Sequence, residues 1–378
     1  MRDAWRQVTL GEVCRIQQGK RVEHLPAGEA SYPVLGATGI LGSWFEPTYF
    51  EPVVALGCRG TVGTVRYVEE PSWFGNNVMA VWSQNAATLD NRYLALSLEG
   101  ADLMAAGAIG GQVQKQITRT SLAPVQIALP PLRVQERIVD LIDTLDTTIR
   151  KAEEETGLLE AFKRRWRELA MSEVVESGRL GDVAEVQLGR MLSKDRSKGV
   201  DQAPYIRNAN VQWGRLDLAD LKTMSFPIEQ REKYSIRAGD ILVCEGGDPG
   251  RCAILEEDLP GVYFQKAIHR VRARGIGARF LYHALAQRYV DGGIQDLCSV
   301  TTIAHLTAEK FRDLRVPLPT LEVQESIVQT LDAIDGDIQG VRCVVQSLRA
   351  LRSNLLTVLL SGEHKIPESY DEVMEVAS

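Results

Sequence analysis

The stretch Pro130-Pro131-Leu132-Arg133-Val134-Gln135-Glu136-Arg137-Ile138-Val139 is answered 189 positions later by Pro319-Thr320-Leu321-Glu322-Val323-Gln324-Glu325-Ser326-Ile327-Val328. The likeness continues through Asp143, Asp146 and Ile149, which recur as Asp332, Asp335 and Ile338. Residues 130–169 and 319–358 are one long helix written twice in a chain of 378 residues. The protein is therefore a tandem duplication in which a globular domain precedes each helix. Such a chain has two hands rather than one active site.

Core-type positions in the first helix run Ile138, Ile142, Leu145, Ile149, Ala152, Thr156, Leu159, Phe162, Trp166, Leu169. In the second they run Ile327, Leu331, Ile334, Ile338, Val341, Val345, Leu348, Leu351, Leu355, Val358. Both alternate steps of three and four, the mark of a coiled-coil seam, and both carry one 3-3 slip at the same depth. Two helices with a shared irregularity are expected to pair. The pairing residues are Ile138, Ile142, Leu145, Ile149 and Leu159 against Ile327, Leu331, Ile334, Ile338 and Leu348. Short links join the second domain to the end of the first helix and the start of the second, so the pair must run antiparallel. A helix of about 40 residues spans about 60 Å, which implies a dumbbell with its domains held apart.

The expected fold class is α+β: two strand-rich α/β domains separated by two long antiparallel coiled-coil helices, related by a pseudo-two-fold. The segments are domain one at 1–129, helix one at 130–177, domain two at 178–318, helix two at 319–362 and an acidic tail at 363–378.

Net charge is −7, which by itself argues against nucleic acid. Its distribution removes the objection. Segment 134–177 has seven basic and eleven acidic residues, and the tail has one and five, whereas 178–322 has 21 basic against 19 acidic. The acidity belongs to the helices and the tail. The six cysteines are scattered without a CxxC pair, as in a reduced, cytoplasmic protein without disulfide framework or zinc. No signal peptide or membrane span is expected.

Both domains open alike: Leu10-Gly11-Glu12-Val13 with Gly19-Lys20 parallels Leu180-Gly181-Asp182-Val183 with Gly189-Arg190. Each middle holds a strand running into a glycine loop. Domain one has Gly57-Cys58-Arg59-Gly60-Thr61-Val62-Gly63; domain two has Cys244-Glu245-Gly246-Gly247-Asp248-Pro249-Gly250-Arg251. Short helices follow at about 91–106 and 278–290, then polar stretches at 110–115 and 299–305. Glycine loops let a backbone approach a ligand. Lys20, Lys115, Arg190, Lys194 and Lys266 suit phosphate contact, while Arg59, Asn76, Asn77, Arg207, Asn208 and Gln265 suit base edges. Thr61, Gln112, Gln114, Asp248, Arg251, Thr301, Thr302 and His305 complete the candidate DNA-binding set.

With these motifs in this order, twice, the chain resembles the specificity subunit of type I restriction-modification systems over essentially its whole length. The carriers are the repeated Pro-x-Leu-x-Val-Gln-Glu-x-Ile-Val helix start, the Leu-Gly-[Asp/Glu]-Val opening and the Gly-Asp-Ile-Leu…Pro-Gly strand and loop at 239–250. Domain one departs from the last of these at 57–63. The resemblance implies that each domain is a target-recognition domain reading half of a split, asymmetric double-stranded DNA target. The helices would set the spacer. Two modification subunits would dock, binding S-adenosylmethionine and methylating adenine, and restriction subunits using ATP and Mg would join for translocation and cleavage.

No chemistry of its own is expected in the chain. It lacks an Asn/Asp-Pro-Pro-Tyr/Phe methyltransferase motif, a Phe-x-Gly-x-Gly loop and a Walker motif. Asp240 and Glu245 read as turn and surface residues rather than a nuclease pair, and the five histidines show no ligand spacing. No catalytic residue, metal or cofactor is assigned. Two rival classes are a coiled-coil protein–protein adaptor without DNA specificity, which the acidic helices would suit, and a single-chain methyltransferase, which the missing motifs oppose.

Overall fold

A computed structural model describes residues 5–21, 31–111, 114–192, 199–298, 305–364, 366–367 and 369–370. The chain divides into two compact units, Met1–Glu153 with Arg342–Ser378, and Glu154–Val341. Each long helix, Leu132–Ser172 and Leu321–Leu360, gives one half to each unit.

In unit 1 a four-stranded antiparallel sheet has the order Cys14–Gln18, Val78–Ser83, Val53–Gly57, Val65–Val68. Side chains alternate across a strand, and here both faces are covered. Val54 and Leu56 join the helix Asn91–Gly100 in the main core. Val53 and Ala55 join Leu35 and Phe74 of a second sheet, made of Ile40–Trp44, Tyr32–Leu35 and Trp73–Phe74. That is why Val53–Gly57 is an unbroken buried run. Unit 2 repeats the plan. Its main sheet is Ala184–Leu188, Ile268–Ala273, Ile241–Cys244, Cys252–Ile254, with Ile241 and Val243 facing one cluster and Leu242 and Cys244 the other. The openings Leu10–Val13 and Leu180–Val183 are single helical turns, each pinned by a fully buried leucine. The helix expected to reach 106 ends at Gly100; its counterpart is Ala278–Val290.

The repeated motif at the start of each long helix is a clamp. Gln135 is fully buried; its Oε1 accepts from the Asp90 amide at 3.0 Å and its Nε2 donates to the Thr88 and Pro130 carbonyls at 2.9 Å. Gln324 does the same work, accepting from the Gly277 amide at 2.8 Å and donating to Pro319 at 2.9 Å. Asp90 and Gly277 are the N-cap residues of the domain helices, so one carboxamide joins domain to long helix. One turn or two further on, Asp143 pairs with Arg92, and Asp332 with Arg279.

Within each unit the two helix halves run antiparallel, and the seam lacks the expected 3-3 slip. In unit 2 it passes from half-buried Leu159 through Lys163 and Trp166 to Ala170, in steps of four, three and four. Phe162 is left 55% exposed and Leu169 outside as well. In unit 1 the second helix follows the same course through half-buried Leu348, Arg352 and Leu355 to buried Leu359, leaving Leu351 50% exposed. The reason is electrostatic. Lys163 meets Asp335 at 2.5 Å, and Arg352, 189 positions after Lys163, meets Asp146. Each basic residue lies over the seam with its apolar stem covered and its charge paired. The apolar neighbour that looked like the seam residue turns outward. Ile138, Ile142, Ile149, Ile327, Leu331, Ile334 and Ile338 are buried, and Leu145 is half-buried; Ile138 and Ile142 lie in the core of unit 1, and Ile327 and Leu331 in that of unit 2. In the tail, Ile366 packs against the unit 1 core.

Replacing Gln135 with Ala removes three hydrogen bonds to backbone groups, the buried one to Pro130 and the part-buried ones to Asp90 and Thr88, with a cost of about 1–3 kcal/mol for the buried group left unpaired. We expect amide exchange to accelerate at the helix start in unit 1, with unit 2 unaffected. Unchanged protection, or a loss shared by both units, would contradict the clamp.

A second expectation concerns pH. His283 lies fully inside unit 2, and burial, followed by the charges of Lys163, Arg167 and Arg279, lowers its pKa from 6.5 to about 3. Asp332 is 3.8 Å away but is held by Arg279. The unfolded chain protonates this histidine below about pH 6.5 while the folded chain does not, so stability falls with pH in that range. Between pH 6.5 and 5 the parent should lose more stability than His283→Phe; equal slopes in denaturant titrations would rule the assignment out.

Candidate nucleic-acid interface

The two glycine loops share one backbone. In unit 1 the Gly57 amide donates to Thr64 and the Gly63 amide to Gly57, both at 2.8 Å; in unit 2 Cys244 donates to Arg251 at 2.8 Å and Gly250 to Cys244 at 3.0 Å. The left-handed residues match too: Gly60 and Gly63 have φ of 74° and 88°, Gly247 and Gly250 of 79° and 100°. These are conformations that a β-carbon penalises. The loop at 57–63, which seemed to depart from the pattern, therefore does so in side chains only.

The surroundings of the loops match atom for atom. The Cys58 amide donates to Asn77 as that of Glu245 does to Ala267, and Ile117 donates to Cys58 as Leu306 does to Glu245. Lys20 bridges to Gly75 as Arg190 bridges to Gln265; Arg59 bridges to Gln116 as Gly246 does to His305. A turn after the strand Tyr32–Leu35 closes the group, with Thr64 Oγ1 donating to the Ala37 carbonyl at 3.0 Å. In unit 2 Arg251 Nη2 donates to the Asn208 carbonyl at 3.1 Å. Gly19 and Gly189 let these strands touch, since a β-carbon on either would stand 2.2 Å from a carbonyl oxygen of the facing strand.

On this frame the two units hang different chemistry. Unit 1 gathers Lys20, Arg59, Thr61, Asn76, Asn77, Gln114 and Lys115 around its loop. Arg59, Thr61, Asn77, Gln114 and Lys115 are exposed. The Lys20 ammonium lies 5.7 Å over the Trp73 ring. Unit 2 gathers Arg190, Arg207, Asn208, Asp248, Arg251, Gln265, Lys266 and His305, and ties several down. Arg207 pairs with Asp220 at 2.7 Å, and Asn208 Nδ2 donates to the Gly246 carbonyl at 2.8 Å. Asp248 accepts from the Tyr289 hydroxyl at 2.7 Å and faces Arg251 at 3.6 Å. Lys222 first, then Arg207, hold the Asp220 carboxyl below its ordinary value, and the bond to Asp248 raises the Tyr289 hydroxyl. Burial raises the thiols of Cys58 and Cys244, which sit as neutral packing groups beneath the loops. Where unit 1 has Arg59 and Ala37, unit 2 has Gly246 and Asn208, so the long polar side chain comes from opposite rims.

Gln112, Lys194, Thr301 and Thr302 lie outside the described residues. Asp240 is not a surface residue: it is buried and bound by Arg272 through two bonds of 2.7 Å. Sequence reading missed Gln116, whose only signal is its strand pairing with Arg59. It also missed the turn 36–39, because a longer insert separates the matching turn from its loop in unit 2. Among the described residues no cluster of His, Cys, Asp or Glu is arranged for a metal ion, and no helix is long and apolar enough to cross a membrane.

The model of the type I restriction modification DNA specificity domain matches residues 2–160 and again 172–341. The chain is similar to the type I restriction enzyme EcoBI specificity subunit of Escherichia coli, at 22% identity, with 95% of this chain and 85% of that one covered. It is similar also to the MjaVIII specificity subunit of Methanocaldococcus jannaschii, at 21% identity over 77% and 74%. Its fold is that of the crystallised type I restriction-modification S subunit from M. genitalium, with a TM-score of 0.61 at 15% identity over 95% of this chain and 97% of that one. The chain thus belongs to the type I restriction-modification DNA specificity family and carries two of its domains in tandem.

Proposed function

We propose that the two target-recognition domains read the two unlike halves of a bipartite, asymmetric double-stranded DNA sequence, with the loops at 57–64 and 244–251 at the centre of each reading face. One observation carries this: a single backbone frame, built twice, bears two different sets of side chains. Identical frames present their side chains to a duplex in the same way, so differing side chains select differing bases. Arg59 suits the paired acceptors of guanine, and the amides of Asn76, Asn77 and Gln265 suit adenine. Lys20, Lys115 and Lys266 suit phosphates, whereas Arg190 is 7% exposed, with its guanidinium 5.8 Å over the Phe226 ring, and is not placed to meet one. The braced state of Asp248 and Arg251 suits a loop held in shape before DNA arrives.

In this reading the long helices set the spacer between half-sites. Two modification subunits dock on the chain, bind S-adenosylmethionine and methylate adenine; restriction subunits add ATP- and Mg-dependent translocation and cleavage. The chain itself is non-catalytic and works in the cytoplasm, where chromosomal and incoming DNA lie. A peptide-binding adaptor is not favoured, since the family match covers both domains.

The experiment measures duplex binding by the chain assembled with its modification subunit, at several salt concentrations. Arg59→Ala should cost about 1–3 kcal/mol on the cognate duplex and relax one position of one half-site. Lys20→Ala or Lys115→Ala should weaken binding to every duplex and reduce the salt slope by about one. An intact motif and affinity in Arg59→Ala, with a changed motif in Lys20→Ala, would remove this placement of the reading face.

A further inference from the structure

Among the described residues the strand Ile40–Trp44 is at the edge of its sheet, paired with Tyr32–Leu35 alone. Its first two side chains are large and apolar, yet Ile40 is 68% exposed and Leu41 54%. They leave the turn 36–39, which is fastened to the reading loop. Thr64 Oγ1 donates to Ala37, and the Arg66 guanidinium donates to the Gly36 carbonyl. The loop fastened there carries Arg59 and Thr61. Adjacent exposed apolar side chains on such a turn mark a surface that meets something, and their neighbours say what. Arg59, Arg66, Lys20 and Lys115 give this part of unit 1 a cationic surround suited to a polyanion. The far end of the strand differs: exposed Phe45 is followed by Glu46, and Phe50 by Glu51, both exposed acids. Five strand residues set that end about 16 Å away, where a polyanion is repelled.

In the major groove the base edges offer one apolar group, the C5-methyl of thymine. We propose that Ile40 and Leu41 contact thymine methyl groups in the half-site read by unit 1. This rests on the reading above that the face meets DNA. It names an apolar component of recognition beside the polar one, and it belongs to one half only. After the matching turn of unit 2 the chain places Val211, fully buried, and Gln212.

The test uses the full chain assembled with its modification subunit and cognate duplexes in which deoxyuridine replaces thymidine one position at a time. The wild-type complex should lose affinity about fourfold for each contacted methyl in one half-site. Ile40→Ser/Leu41→Ser should show that loss on the thymidine duplex, no further loss with deoxyuridine there, and unchanged response in the other half-site, which also reports intact folding. The proposal is overturned if the double variant binds the thymidine duplex as tightly as wild type. It is overturned if the variant responds to deoxyuridine as wild type does, or if that half-site holds no A·T pair. Self-association of the wild-type chain that the variant abolishes would assign the patch to a second copy and overturn it too. Arg59→Ala separates the two levels: a loss there without one in the double variant removes only this inference, and no effect of either removes the reading of the face.

Discussion

Gln135 and Gln324 join each domain to its helix through buried carboxamide hydrogen bonds, and the rest of the structure follows from that joint. A carboxamide has donors and an acceptor that must all be met once water is excluded. Gln135 meets them with backbone groups from the domain and from the helix start, so neither partner can shift without stranding the other. Asp143 and Asp332 repeat the connection a little further along with arginines of the domain helices. A domain set on such a joint keeps its orientation to the long helix.

The same economy governs the helix pair. The seam accepts Lys163 and Arg352 because Asp335 and Asp146 stand opposite, each pair repeating the other after 189 positions. A charge pair is directional where a leucine contact is not, so these bridges fix register as well as packing. The duplicated polar residues thus hold the frame. The loops differ in side chains while keeping their backbone hydrogen bonds, which leaves them open to divergence in what they read. Unit 1 presents exposed polar ends, whereas unit 2 braces its own with Asp220, Asp248 and Tyr289.

Much of this was legible in the chain. Pro130, Gln135, Asp143 and Asp146 with their partners at 319, 324, 332 and 335 disclosed the duplication, because a structural joint cannot vary freely. The openings at Leu10 and Leu180 were legible for the same reason. The seam beyond Leu159 was misread, since hydrophobic spacing favoured Phe162 and Leu351 and gave no weight to a lysine or arginine with a carboxylate waiting across the helix. The loops at 57–63 and 244–251 paired in the sequence as counterparts, but their residue-by-residue match did not show, because the shared property is backbone conformation, which rests on the paired glycines 60/247 and 63/250. Gln116 and the turn at 36–39 depend on pairing between segments distant in sequence, which periodicity does not carry.

The central claim is that two readers on one frame act independently. Its most direct test replaces residues 1–129 with the corresponding region of a relative of different specificity and maps methylated adenines across a genome by single-molecule sequencing. One half of the methylated motif should change while the other half and the spacer stay as they were. A change in both halves, or an unchanged motif, would contradict the account.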